Sequence, residues 1–102
     1  MKQFPNILNV DNKDMFSDIL YRRYICYLRR EIYEHMLRNN ENDYFAIDSF
    51  ATKYNIDIDM AKQMTHELIE EIQNIGWKCR LGFNDTGLFI YSTENPPPNW
   101  WG

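Results

Sequence analysis

A chain of 102 residues suits one domain with one hydrophobic core and leaves no room for two. With 44% hydrophobic, 25% charged and 16% aromatic residues, its balance excludes a disordered or fibrous chain. The net charge of −4 is unevenly spread: residues 1 to 40 hold seven Lys/Arg against five Asp/Glu, and residues 41 to 102 hold four against ten, which speaks against polyanion binding by the second part.

The first segment, MKQFPNILNVDNKD, mixes acids and Asn among its apolar residues, so it lacks the continuous apolar stretch of a signal peptide. No run anywhere approaches the roughly 18 to 20 apolar residues that cross a bilayer. Both observations point to an intracellular protein, cytoplasmic or nuclear. Residues 1 to 13, with no sustained helical period, read as an extended arm whose apolar residues dock elsewhere.

Asp14 is placed to cap a helix running to about Asn39, free of Gly and Pro and ending in a polar Asn-Asn-Glu-Asn cluster. At 3.6 residues per turn, Tyr21, Tyr24, Ile25, Leu28, Ile32 and Met36 share one face, the expected core stripe. A second set, Met15, Ile19, Cys26, Tyr33 and Leu37, lies on another side, with Arg22, Arg29 and Arg30 among it. Two apolar sides imply a helix covered twice, by its own core and by the arm or another chain. Cys26 and Cys79, each with apolar neighbours in sequence, read as buried free thiols of a reducing compartment.

Tyr44 to Ile47 reads as a brief strand, with Asp48 a candidate cap for a short helix from Ser49 to Tyr54. The turn Asn55 to Asp59 offers Asp57 or Asp59 to cap a longer helix reaching Ile75, stopped by Gly76. Its inward stripe is Ala61, Met64, Thr65, Leu68, Ile72 and Ile75. Trp77 to Leu81 alternates apolar and basic residues, Asn84-Asp85-Thr86-Gly87 supplies a turn, and Leu88 to Ser92 is rich in apolar and aromatic residues, so the two runs form a hairpin. The tail from Glu94, ENPPPNWWG, favours polyproline II and ends in two tryptophans.

This succession, carried by IDSFATKYNIDIDMAKQMTHELIEEIQNIGW and the hairpin after it, resembles a winged helix-turn-helix domain over about residues 14 to 92. The expected fold is therefore α+β and winged-helix-like, with a long N-terminal helix, two further helices, a C-terminal hairpin and extended tails. In such domains the third helix and the hairpin, or wing, often contact DNA, while many members bind proteins instead. More faintly, GWKCRLGFNDTGLFIYSTENPPPNWW is similar to the C-terminal part of small proteins encoded by large double-stranded DNA viruses of eukaryotes. That implies a virus-encoded regulator, or a minor component of a virus particle or viral complex.

Two surfaces compete for a role. A DNA-binding regulator would read the groove with Lys62, Gln63 and His66 and touch phosphates with Arg22, Arg23, Lys78 and Arg80. Against it stand Glu67, Glu70 and Glu71 beside the same helix face and a wing turn without a basic residue. An assembly module would dock other proteins, its own copy included, through Tyr21, Arg22, Cys26, Arg29, Arg30 and Tyr33 of YRRYICYLRREIY and through Trp100 and Trp101. The plainer alternatives are a solvated arginine face paired at four-residue spacing, as in Arg30 with Glu34 and Glu34 with Arg38, and tryptophans folded back on their own domain.

Catalysis has little support. There is no glycine-rich phosphate loop, no Cys/His set at metal-ligand spacing and no nucleophile with a companion base. His35 reads as a core-bordering residue and His66 as a surface one. The expectation is a protein-binding module with no cofactor, no metal and no enzymatic role.

Overall fold

The computed structural model describes residues 5–38 and 42–92. Among them are two 3₁₀ turns, Asn6–Leu8 and Val10–Met15, then α1 (Phe16–Arg38), β1 (Asn42–Ala46), α2 (Ile47–Tyr54), α3 (Ile58–Asn74), β2 (Lys78–Gly82) and β3 (Gly87–Tyr91). The architecture is α+β, with three α-helices packed on a three-stranded antiparallel sheet of order β1-β3-β2.

The long helix is entered differently from the expectation. Residues 6–15 are coiled into 3₁₀ turns rather than extended, and Asn9, not Asp14, caps the second turn by accepting a hydrogen bond from the Asp11 N–H at 2.9 Å. A short polar side chain just before a helical run offers the acceptor that the first free N–H groups need, and Asn9 does this five residues upstream of Asp14. Of its described apolar side chains, Leu8, Val10 and Met15 are all at least half exposed rather than docked on the domain.

Ile25, Leu28 and Ile32 of α1 are buried, with Tyr21, Tyr24 and Met36 packed beside them, so the first stripe does face the core. Ala61, Met64, Thr65, Leu68 and Ile72 of α3 meet it. Buried Thr65 satisfies its hydroxyl by donating to the Ala61 carbonyl one turn back at 2.8 Å. Asp57 caps α3, its side chain accepting from the Asp59 N–H, and Gly76 takes the left-handed φ of +99° that ends the helix.

The sheet turns Phe45, Leu88 and Ile90 toward the helices. Its other side carries an aromatic cluster, with the Tyr44 ring 5.0 Å from Phe89 and 6.0 Å from Phe83 between centroids. That cluster leaves no space at Gly87, where a Cβ would lie 2.6 Å from the Tyr44 ring. The hairpin loop is Phe83 to Thr86, one residue earlier than the sequence suggested, and Gly87 belongs to the β3 ladder opposite both Ala46 and Gly82. The Thr86 carbonyl accepts the Ile47 N–H at 2.8 Å. This bond satisfies an orphan donor at the start of α2, where Asp48 makes no cap to the helix and only accepts from the adjacent Ser49 N–H. No helix among the described residues is long and apolar enough to cross a membrane.

Candidate interaction surface

Two polar clasps tie α1 to its neighbours. Arg29 donates to Glu71 of α3 through both Nε and Nη2, at 3.0 and 2.9 Å, the bidentate geometry that suits guanidinium and carboxylate. About two turns upstream, the Tyr21 hydroxyl donates to Glu67. On the other flank Glu31 accepts from Lys53 Nζ and from the Tyr54 hydroxyl of α2, while the Tyr27 ring stacks on Tyr54 at 5.6 Å.

These contacts set the titration of the groups. The hydrogen bonds from Arg29 hold the Glu71 carboxyl below the usual glutamate range and raise the Arg29 guanidinium in turn. A carboxyl depressed in the folded state contributes its stability at neutral pH, and that contribution fades as pH falls through its folded value. Both side chains are about half exposed, so the effect is small. Partial burial, with Glu67 beside it, pushes the Tyr21 phenol up to about 12.

The arginines of YRRYICYLRR thus have different fates. Arg29 holds α3, Arg30 lies 3.5 Å from Glu34 one turn on, and Arg22 and Arg23 are exposed. Tyr21 sits at the core edge, and Tyr33 projects outward. Trp100 and Trp101, with the whole Pro/Trp-rich tail, lie outside the described residues.

Cys26 corrects an expectation: it is exposed. Its neighbours in sequence are apolar, but residues one apart on a helix point to different sides, and Cys26 falls off the Ile25-Leu28-Ile32 stripe. Cys79, on the inner side of β2, is half-buried, and burial pushes its thiol up to about 11. In dilute protein at pH 8, N-ethylmaleimide is therefore expected to modify Cys26 within minutes and Cys79 only on unfolding. Peptide mapping by mass spectrometry checks this, and rapid labelling of Cys79 would contradict its packing against the core.

The second apolar set, from Met15 through α1, forms an edge interleaved with arginines, in which Ile19 is half-buried and the others are exposed. Met15 (50%), Tyr33 (60%) and Leu37 (66%) are largely solvent-facing, with Cys26 between them. At its C-terminal end the edge runs into an apolar groove of about 390 Å³ between α1 and α3, lined by Tyr33, Met36, Leu37, Ile72, Ile75 and Trp77 and closed on one side by the Arg29–Glu71 clasp. Ile75 was expected inward but is 71% exposed. Its φ of −98° and ψ of 14° leave the helical path at the C-cap, so the side chain swings out of the stripe that periodicity assigns it. Ile75 was not identifiable as a surface residue from sequence, because helix-end geometry decides it, whereas Trp77 stays packed against the core while its edge lines the groove.

The alternative residues for nucleic acid are dispersed. Arg22 and Arg23 are on α1, Lys62, Gln63 and His66 on α3, and Lys78 and Arg80 on β2. Beside Gln63 a surface depression is lined by Asp18 and Asp59, and His66 faces Asp85 of the hairpin loop at 3.9 Å. Tyr21 and Arg29 engage Glu67 and Glu71, yet Glu70 remains exposed on α3 near His66. Each acid here opposes a phosphate backbone. The chain matches no known family, no curated protein and no solved structure.

Proposed function

We infer that this chain is a winged-helix-like domain that works by binding protein, as a module of a larger assembly rather than as an enzyme or a reader of duplex DNA. The element order α1-β1-α2-α3-β2-β3 and the sheet order β1-β3-β2 support the winged-helix reading. The observation that carries the functional reading is the exposed apolar edge of α1 continuing into the α1–α3 groove. A Tyr, Trp and Leu lining with a fixed Arg–Glu pair at its rim has the make-up of an interface centre.

Duplex binding is the second reading, and it is the discriminating test. Fluorescence anisotropy against a labelled duplex is expected to show no binding at micromolar protein even at low salt. Micromolar affinity that falls steeply with salt would overturn the assembly reading, because only a continuous basic surface produces that dependence.

A further inference from the structure

We propose that the partner on the exposed edge of α1 is a second copy of this chain, lying antiparallel with a two-fold axis at Cys26. The proposal deepens the assembly reading and rests on it.

The sequence of the edge is symmetric about that residue. Met15 and Leu37 each lie eleven positions from Cys26, and Ile19 and Tyr33 each lie seven. A two-fold interface buries the same patch of both subunits, so residue i meets residue j and j meets i. Antiparallel α1 helices crossing at Cys26 therefore set Met15 against Leu37 and Ile19 against Tyr33 at both ends. At about 1.5 Å per residue, the seam from Met15 to Leu37 is roughly 33 Å long.

Shape matches along the same line. One end of the edge offers free apolar side chains, with Met15 half exposed and Val10 beyond it 70% exposed. The other end is concave, the groove bounded by Leu37, Ile75 and Trp77. Only an antiparallel arrangement delivers the Met15 end of one copy to the groove of the other, and it does so twice.

Charge selects the same orientation. Asp14 and Arg38, both exposed, each lie twelve positions from Cys26, so antiparallel pairing places them opposite one another at each end. Nearer the axis, Asp18 and Arg22 of one copy meet Glu34 and Arg30 of the other, a neutral quartet with its unlike pairs on the diagonals. A parallel pair would instead stack Asp14 on Asp14 and Arg38 on Arg38, a like-charge cost at both ends, while the inner quartet is neutral in either orientation.

The test uses the full chain under reducing conditions. Sedimentation equilibrium from about 1 to 100 µM is expected to give a dimer mass, and the rate of Cys26 alkylation is expected to fall as the dimer forms. Leu37→Glu, which sets a carboxylate into the groove at each end of the seam, should raise the dimer dissociation constant by about 30-fold or more, with an unchanged circular dichroism spectrum. Orientation is read in a Cys26→Ser background. Mixed Arg22→Cys and Arg30→Cys chains should form a disulfide between unlike chains on mild oxidation, faster than either chain does with itself.

A monomer at 100 µM overturns the proposal, and preferential Arg22→Cys homodisulfide overturns the antiparallel geometry. A monomer that still captures a different protein, with capture lost in Leu37→Glu, removes the second copy but leaves the assembly reading standing. Salt-sensitive duplex binding removes that reading itself.

Discussion

Leu28→Ala is expected to lower the unfolding free energy by about 2–5 kcal/mol, the range for truncating a fully buried leucine. Leu28 is 0% exposed and sits between Ile25 and Ile32 on the core stripe of α1, in the cluster that also contains Leu68, Leu88 and Ile90. The change removes three buried carbons, and a sheet on one side and α3 on the other limit how far the wall can collapse into the gap. For a domain of this size that loss corresponds to a fall in melting temperature on the order of 10–30 °C. Leu37→Ala is the internal control in protein dilute enough to be monomeric: same residue type, same helix, but largely exposed, so its effect should stay within about 0.5 kcal/mol. Urea titration of both variants checks the pair, and equal effects would mean that α1 presents a different face to the core.

Asp43→Ala is expected to cost about 1–3 kcal/mol, although the substitution trades a charged residue for one with good burial statistics. Asp43 lies on β1 with its side chain only 7% exposed. Its Oδ1 accepts the Tyr44 N–H at 2.8 Å, and its Oδ2 lies 3.2 Å from His35 Nδ1 at the end of α1. Alanine removes the acceptor that both groups share at a part-buried site, and the penalty for the unmade hydrogen bond of the Tyr44 N–H exceeds the gain from burying a methyl. Asp43→Asn, which keeps an acceptor oxygen, should lose less. Equilibrium unfolding in urea measures both, and an alanine variant within 0.5 kcal/mol of the parent would show that the Asp43–His35 contact does not hold β1 to α1.

The contrast between these two sites parallels what could be read without coordinates. Leu28 was legible because helical periodicity is a local property: residues three and four apart share a side whatever else the chain does. Asp43 was not, since an acidic residue beside an Asn-rich turn looks like ordinary loop surface. Its burial follows from β1 pairing with β3, Asp43 opposite Ile90, and from His35 arriving from an element eight residues upstream. His35 itself was expected at the core border and stands there, its ring edge-on to Phe45 at 5.1 Å.

The candidate surface divides in the same way. The second apolar set of α1 is visible in the sequence, but whether an arm, a partner or solvent covers it is a tertiary question. Residues 6–15 form 3₁₀ turns that lead into α1, and among the described residues Met15, Cys26, Tyr33 and Leu37 are exposed. The acids of α3 were counted from composition, while the engagement of Glu67 by Tyr21 and Glu71 by Arg29 depends on residues 46 and 42 positions apart.

The sequence by itself determined the α+β class, the long first helix, the core stripes of α1 and α3, the Gly76 stop and the β2–β3 hairpin. All of these depend on side-chain period and backbone preference within a few residues of each other. Only the tertiary structure decided that β1 lies against β3, that Ile75 turns outward to wall a groove, that Cys26 is exposed and Asp43 buried, and that the arginine face is partly consumed in holding α3. Those outcomes depend on which distant surfaces meet, and no local pattern encodes the meeting.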